Sequence, residues 1–313
     1  MAEPVILVTG IAHTAASWPA TQFPGDGRGW HCGPMKRSLA VVDVFGAEAG
    51  SGNPVAVVLD GEGLDTAQMQ QFARWMNLSE TTFVLPPSGP GADYRVRIFT
   101  PAAELPFAGH PTLGTCHAWL TAGGATREPG VAIQECRAGL VPVRQTERDD
   151  GSLAFAAPPV LRDGPVEDGL LDRIAGMLAV SRADIVDAEW ADNGPGWVAV
   201  LLKDADAVLA ARPTGVDIDL GLAGLYPPGS EAAVEVRAFF PVNGTGVEDP
   251  VTGSLNASLA AWLLRTGRLT APYVASQGTV IGRRGRVHVS ADAAGAIWVG
   301  GRTATLITGK ADL

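Results

Sequence analysis

An internal repeat restricts this chain to a fold built from two related halves. The stretch VRIFTP at 96–101 recurs as VRAFFP at 236–241, and HPTLGT at 110–115 recurs as DPVTGS at 249–254. The two matches keep the same order at offsets of 140 and 139 residues. One short match can arise by chance, but two ordered matches at a nearly constant distance indicate duplication. The sequence therefore predicts two similar lobes.

Each copy of the second motif has the features of a helix start. Proline fits the first turn of a helix, because its missing N–H would be unpaired there anyway. Thr115 and Ser254 add hydroxyl groups beside free backbone amides, which together suit an anion such as a carboxylate. The residue before each proline is His110 in one copy and Asp249 in the other. If the two helix starts face each other across a cleft, these polar side chains meet there.

Neither side chain would be strong evidence by itself. An Asp before a helical Pro is most often an N-cap, and a single His is more often a turn residue than a catalyst. Their matched positions in a repeat favour function, and both copies run into an apolar segment with Ala-Trp-Leu, at 118–120 and 261–263.

Composition excludes several classes of protein. The 313 residues carry a net charge of −10, and no basic run indicates contact with nucleic acid or an anionic membrane. No apolar run is long enough to span a bilayer. The three cysteines, Cys32, Cys116 and Cys136, form neither a CxxC pair nor an even-numbered framework, so we expect free thiols in a reducing cytoplasm.

The pattern along the chain is that of an α+β protein. Residues 1–35 are rich in Pro and Gly and read as an extension of unknown role, with Met35 a possible natural start. After that, short apolar runs such as PVAVVL (54–59) and VEVRAFFP (234–241) predict strands. Segments at 65–77, near 166–179 and from about 251 to 265 predict helices.

Six stretches spread over about 240 residues resemble the phenazine-biosynthesis isomerase family, the PhzF-like proteins. They are VDVFGAEAGSGNPVAVVL, NLSETTFVL, FTPAAELPFAGHPTLGT, ECRAGLVPVR, VEDPVTGSLNASLAAWL and SQGTVIGRRGRV, in the family's order. The resemblance implies a diaminopimelate epimerase-like fold with two pseudo-symmetric lobes, each a strand barrel around a central helix. We expect one lobe at 36–129 plus about 300–313, and the other at 130–299.

The resemblance also implies a reaction. In the family a carboxylate moves a proton between carbons of a small carboxylate substrate without a cofactor, here Glu80 of the SET motif, assisted by His110 and Asp249. Gly109, Gly253 and Ser254 correspond to the substrate-binding positions. The implied activity is that of a trans-2,3-dihydro-3-hydroxyanthranilate isomerase in secondary metabolism, on the way to phenazines or another antibiotic. A homodimer is expected by the same resemblance.

The residues themselves give a weaker case for Glu80. It follows the helix that ends near Asn77 and opens the apolar strand TTFVLP. A carboxylate there would be partly buried, and desolvation would raise its pKa toward neutrality, which suits a group that must both take and give a proton. Without the motif, a solvated edge-strand residue would be the better interpretation.

The sequence bears on several alternative chemistries. A two-base epimerase of amino acids would use two thiols, but FAGHP and EDPVT contain no cysteine, and Cys116 is expected to pack in the core. Pyridoxal chemistry needs a lysine in the site, a serine hydrolase needs G-x-S-x-G, and metal catalysis needs clustered ligands, so no cofactor and no metal are expected. An isomerase of another building block, such as a cyclic amino acid, and a non-catalytic carboxylate-binding protein remain open.

Overall fold

The computed structural model describes residues 35–146, 148, 150–242 and 245–313. Apart from Met35, the predicted N-terminal extension therefore lies outside the described residues. The helices are α1 (Thr66–Met76), α2 (Gly109–Thr121), α3 (Asp168–Leu178), α4 (Ala205–Ala210) and α5 (Gly253–Arg265).

Strands make up most of the fold. They are β1 (Lys36–Val44), β2 (Asn53–Val58), β3 (Glu80–Leu85), β4 (Tyr94–Phe99), β5 (Glu104–Leu105), β6 (Val131–Cys136), β7 (Gly139–Gln145), β8 (Leu153–Ala156), β9 (Ile185–Trp190), β10 (Val198–Leu202), β11 (Leu220–Leu225), β12 (Val234–Val242), β13 (Thr245–Asp249), β14 (Tyr273–Gln277), β15 (Gly285–Ala291), β16 (Ile297–Gly301) and β17 (Thr303–Asp312). The predicted strands at 54–59 and 234–241 and the predicted helices near 166–179 and 251–265 are confirmed to within two residues. The short helix α4 and the strand β11 were not predicted.

The strands pair in the same series of steps twice. In the first series β1–β2 is antiparallel, β2–β3 parallel, β3–β4 antiparallel, β4–β6 parallel, and β6–β7 and β7–β8 antiparallel. In the second series β9–β10 is antiparallel, β10–β11 parallel, β11–β12 antiparallel, β12–β14 parallel, and β14–β15 and β15–β16 antiparallel. The repeated order confirms the duplicated α+β architecture.

The last strands of the two series pair with each other, because β8 is hydrogen-bonded to β16. The final strand of the chain, β17, returns to pair with β1 of the first series. The first series ends at residue 156 and the second begins at residue 185. The predicted lobe limits, 36–129 plus about 300–313 and 130–299, stay a prediction.

Each half contains one long helix that packs against strands. α2 packs against β1, β2, β3, β6, β7, β8 and β17, and α5 packs against β15 and β16. Leu113 and Cys116 of α2 and Leu255, Leu259 and Trp262 of α5 lie in the main hydrophobic core. A helix with apolar residues on nearly all sides is stable only when strands cover it all round. Among the described residues, no helix has both the length and the apolar character that crossing a bilayer requires.

Candidate active site

The first element of the site is Glu80, placed by α1 and β3. Asp65 caps α1 with a complete capping box, accepting from the Gln68 amide at 2.8 Å. Asn77 ends the helix in the left-handed region at φ 52°. The chain then turns into β3, whose first residue is Glu80. The Glu80 side chain is 15% exposed, so it is largely removed from water and is not the solvated edge-strand residue that the local sequence alone favoured.

The second element is the meeting of two helix starts. α2 begins at Gly109 and α5 at Gly253, and neither helix has a side-chain cap. A Cβ atom on Gly109 would lie 2.9 Å from Cα of Gly253, and one on Gly253 would lie 3.0 Å from Cα of Gly109. Only glycine allows two backbones to approach this closely. The first-turn amides of both helices therefore lie side by side, which favours an anion there.

The register of the two starts differs from the repeat read in the sequence. Pro111 is the third residue of α2, whereas Pro250 precedes α5 and Asp249 is the last residue of β13. The prediction that both prolines open a helix is therefore wrong for the second copy. Thr115 lies inside α2, where its hydroxyl contacts that of Thr82 at 2.8 Å. The equivalent positions are the two glycines, not the residues before the prolines.

His110 nevertheless reaches Glu80. Its Nε2 atom lies 3.4 Å from Oε2 of Glu80, and both atoms are buried without a hydrogen-bond partner among the described residues. Burial lowers the pKa of His110 to about 3, an effect that a hydrogen bond to the backbone of Pro54 opposes. The imidazole is therefore neutral near pH 7. Buried polar atoms without a hydrogen-bond partner are uncommon in proteins, so two that face each other indicate a functional site.

Asp249 is held by donors from both halves of the chain. Its Oδ1 accepts from Nδ2 of Asn53 at 3.0 Å and from the Ser79 hydroxyl at 3.4 Å. Its Oδ2 accepts from the Thr252 hydroxyl at 2.6 Å. The side chain is buried, and Nδ2 of Asn53 also lies 3.4 Å from Nδ1 of His110. The structure therefore brings Glu80, His110 and Asp249 together.

The two carboxylates share an unusual electrostatic environment. Burial raises the pKa of Glu80 well above its ordinary range, and the nearby charge of Asp249 raises it further. Burial also raises the pKa of Asp249 to about 6, although its hydrogen bonds from Thr252, Asn53 and Ser79 oppose this. Two buried carboxyl groups close together resist double ionisation, so Glu80 is a stronger base than an ordinary glutamate.

Asn53 is a site residue that sequence reasoning missed. It is fully buried, donates to Asp249 and to the Val251 carbonyl, and has an Oδ1 atom with no partner among the described residues. The signal was present, because Asn53 is a polar residue directly before the buried strand segment PVAVV. Its partners lie about 200 residues away in the sequence, so only the folded chain identifies its contacts.

Two residues that contact Ser254, Trp197 and Asn193, were also not predicted from the sequence. Nε1 of Trp197 donates to the Ser254 hydroxyl oxygen at 3.1 Å, and Nδ2 of Asn193 donates to the Ser254 carbonyl at 2.9 Å. Ser254 is the second residue of α5. The expected substrate-binding positions Gly109, Gly253 and Ser254 thus lie together at the helix starts.

Neither described thiol lies at a helix start. Cys116 is fully buried inside α2, where burial raises its pKa to about 12, and Cys136 lies at the end of β6. The prediction that Cys116 packs in the core is confirmed. Among the described residues, no group of three or more His, Cys, Asp or Glu side chains is arranged to hold a metal ion.

Comparison with known proteins identifies the class. The sequence profile of the phenazine biosynthesis-like proteins matches residues 42–312. The chain is 38% identical over 287 residues to a trans-2,3-dihydro-3-hydroxyanthranilate isomerase of Pseudomonas aeruginosa, covering 87% of this chain and 98% of the relative. It is 33% identical over 293 residues to antisense-enhancing sequence 1 of Schizosaccharomyces pombe, covering 88% and 98%.

Solved structures agree on the fold. A phenazine biosynthesis protein of the PhzF family from Bacillus anthracis superposes with a TM-score of 0.76 at 23% identity, covering 89% of this chain and all of the other. A predicted epimerase from Pseudomonas aeruginosa gives a TM-score of 0.73 at 27% identity, covering 88% and 99%. The fold is diaminopimelate epimerase-like, and the protein is an isomerase. It belongs to the PhzC-PhzF family of phenazine biosynthesis-like proteins.

Proposed function

We propose that this isomerase moves a proton between two carbons of a small carboxylate, with Glu80 as the group that takes and returns the proton. The observation that carries the proposal is the pair of buried atoms Glu80 Oε2 and His110 Nε2, 3.4 Å apart and without other partners among the described residues. They lie in the same site as the joined starts of α2 and α5.

The chemistry follows from that arrangement. The amides near Gly109 and Gly253 and the Ser254 hydroxyl would bind the substrate carboxylate. Ionised Glu80 would then remove a proton from a neighbouring carbon, while the C–H electron pair moves into a new double bond. The existing double bond shifts, and Glu80 returns its proton to a second carbon. Atoms and charge balance without a cofactor, and one carboxyl group serves both steps.

The electrostatics support this role. A carboxyl group with an ordinary pKa is too weak a base to accept a proton from carbon, and a raised pKa brings both transfers closer to balance. Neutral His110 leaves the raised pKa of Glu80 intact, because it adds no positive charge beside the carboxylate. Asp249 keeps that pKa high by its negative charge, and we propose that it also holds or relays a proton in the site.

The relatives suggest a substrate class. Three relatives at 36–38% identity are named trans-2,3-dihydro-3-hydroxyanthranilate isomerase. We therefore propose a cyclic amino acid or dihydroaromatic acid of this kind as substrate, and a role in secondary metabolism that leads to phenazines or another antibiotic. We further propose a cytoplasmic homodimer that needs no cofactor. The buried free thiols Cys116 and Cys136 are compatible with a reducing compartment.

Solvent exchange tests the reaction. The protein is incubated in heavy water with trans-2,3-dihydro-3-hydroxyanthranilate, and both double-bond position and deuterium content are followed by NMR. We expect isomerisation with deuterium at the carbon that receives the proton. A protein that binds the acid but neither isomerises it nor exchanges its protons would instead be a carboxylate-binding protein.

Glu80→Gln tests the assignment of the proton carrier. We expect turnover to fall by about 10²- to 10⁴-fold, the range that one acid–base group contributes, with ligand affinity largely kept. Glu231→Gln makes the same chemical change at a side chain that is 65% exposed and should keep full activity. Normal turnover in the Glu80 variant would remove Glu80 from the mechanism.

A further inference from the structure

The hydrogen bond between Trp197 and Ser254 sets the direction of a hydroxyl group. Indole Nε1 can only donate, so the Ser254 oxygen must be the acceptor in this 3.1 Å contact. A serine hydroxyl has one proton and two lone pairs, and the indole occupies one of the lone pairs. Among the described residues, the Ser254 hydroxyl donates to no acceptor. Its proton is therefore free to point toward a ligand.

The segment that carries Trp197 is itself fixed. Oδ1 of Asp192 accepts from the amides of Gly194 at 2.7 Å and Gly196 at 2.8 Å, which closes the loop between β9 and β10. Asn193 in the same loop binds the Ser254 carbonyl. Trp197 is 4% exposed. The loop and Trp197 thus donate hydrogen bonds to both the backbone carbonyl and the side-chain hydroxyl of Ser254, the second residue of α5.

The first half of the molecule has a similar contact near the start of its equivalent strand. Asn53 is the first residue of β2, and Trp197 directly precedes β10, the equivalent strand of the second series. Asn53 lies 3.4 Å from His110, the second residue of α2, and Trp197 contacts Ser254, the second residue of α5. In both halves, a side chain at or just before the start of this strand contacts the second residue of the central helix.

We propose that Trp197 is a positioning residue that keeps the Ser254 hydroxyl a hydrogen-bond donor, so that this helix start selects a carboxylate over a neutral carboxamide. The proposal rests on the placement of the substrate carboxylate under the proposed function. The helix amides are donors only, and the indole N–H on one lone pair leaves the Ser254 proton for the ligand, so donors dominate this helix start. A carboxylate accepts all these bonds, whereas a carboxamide turns an N–H toward one of them.

Without the indole N–H, both lone pairs of the hydroxyl are free, so it accepts from a carboxamide more readily. Trp197→Phe should therefore weaken binding of the carboxylate more than binding of the carboxamide. A role in packing alone would weaken both equally. The ratio of the two affinities is thus a readout that distinguishes orientation from structure.

The experiment uses anthranilate and anthranilamide as probes, with affinities from calorimetry for the wild type, Trp197→Phe, Ser254→Ala and the double variant. We expect Trp197→Phe to weaken anthranilate binding by about fivefold to tenfold, the effect of one neutral hydrogen bond, and anthranilamide binding by less. In the Ser254→Ala background, Trp197→Phe should have no further effect, because the hydroxyl that it orients is absent.

Matched variants guard the result. Trp262→Phe makes the same change at a tryptophan of α5 that is 2% exposed and lies in the main core, and it should leave both affinities unchanged. If Trp197→Phe does not fold, 3-benzothienylalanine at position 197 keeps the bicyclic shape and removes only the N–H.

The other outcomes would refute either the role of Trp197 alone or the proposed carboxylate site as a whole. Equal losses for both probes, or equal losses with and without the Ser254 hydroxyl, would refute the role of Trp197 while leaving the proposed function in place. Unchanged anthranilate binding in Ser254→Ala, or no anthranilate binding to the wild type, would refute the carboxylate site itself and this role with it.

Discussion

The two halves of this protein share a scaffold but not a chemistry. Arg97 on β4 pairs with Glu104 on β5, and Arg237 on the equivalent β12 pairs with Glu248 on β13. Both pairs are bidentate, with N···O distances of 2.7 to 3.0 Å. The arginine of the repeated V-R-x-F motif therefore forms the same ion pair with a neighbouring strand in each half.

The parallel strand pairs show where the halves diverge. In the first half Val55 of β2 lies opposite Glu80 of β3, and in the second half Val198 of β10 lies opposite Leu220 of β11. Glu80, the proposed proton carrier, thus has a leucine as its structural equivalent. Both halves supply a helix start to the proposed site, and one half alone supplies the proposed base. A single base acts on one face of a substrate, which favours a proton shift over two-base epimerisation.

The largest expected difference between the halves concerns stability. The side chains of Arg237 and Glu248 are 4% and 11% exposed, against 23% and 15% for Arg97 and Glu104. Glu248→Gln would leave a buried guanidinium without its counter-charge, so we expect a loss of about 3–5 kcal/mol in the free energy of unfolding. Glu104→Gln should cost about 1 kcal/mol, because water reaches Arg97.

Urea unfolding of the two variants provides the measurement. Each substitution removes one charge from the same type of pair, so each variant is the control for the other. Equal losses in the free energy of unfolding would mean that burial does not determine the contribution of these ion pairs. The two halves would then resemble each other in energetics as well as in topology.

The repeat shows both what the sequence could predict and where prediction stopped. V-R-x-F marks β4 and β12 correctly, since strand pairing and the Arg–Glu contact require those residues. The helix starts were placed in the wrong register because β13 has five residues and β5 has two, which changes the offset beyond the strand. Trp197 and Asn53 went unrecognised because their partners are 57 and nearly 200 residues away. Glu80 was found through its motif, not through burial.

The contact between helix starts should give the next largest effect. A Cβ on Gly253 would meet only backbone, with Gly109 Cα at 3.0 Å and the amide nitrogen of His110 at 3.2 Å. Because backbone cannot rotate away, the two helices would have to separate. We expect Gly253→Ala to lower the free energy of unfolding by about 1–3 kcal/mol and to weaken anthranilate binding.

Gly176 in α3 is the matched control for that substitution. A Cβ there meets nothing within 4 Å, and alanine is the better helix former by about 0.5–1 kcal/mol, so Gly176→Ala should stabilise the protein. Thermal unfolding and calorimetry would check both variants. Full stability and binding in Gly253→Ala would show that the two starts are not in tight contact.

The smallest expected effect compares the two hydroxyl groups that reach Asp249 from opposite halves. The pKa of Asp249 is raised from 3.8 to about 6, so the native state holds more protons between these values, and the free energy of unfolding falls as pH rises through that window. Both hydroxyl bonds lower this pKa, and the Thr252 bond at 2.6 Å is shorter than the Ser79 bond at 3.4 Å.

The Ser79→Ala variant should therefore raise the pKa of Asp249 by less than about one unit, so that the fall in stability extends to higher pH by less than about one pH unit. The change in the free energy of unfolding is about 1.4 kcal/mol at most. Thr252→Val should extend it further. Urea unfolding between pH 4 and 8, with carbon-13 NMR of the Asp249 carboxyl group, would measure both shifts, and a shift toward acid in either variant would contradict the assigned hydrogen bonds.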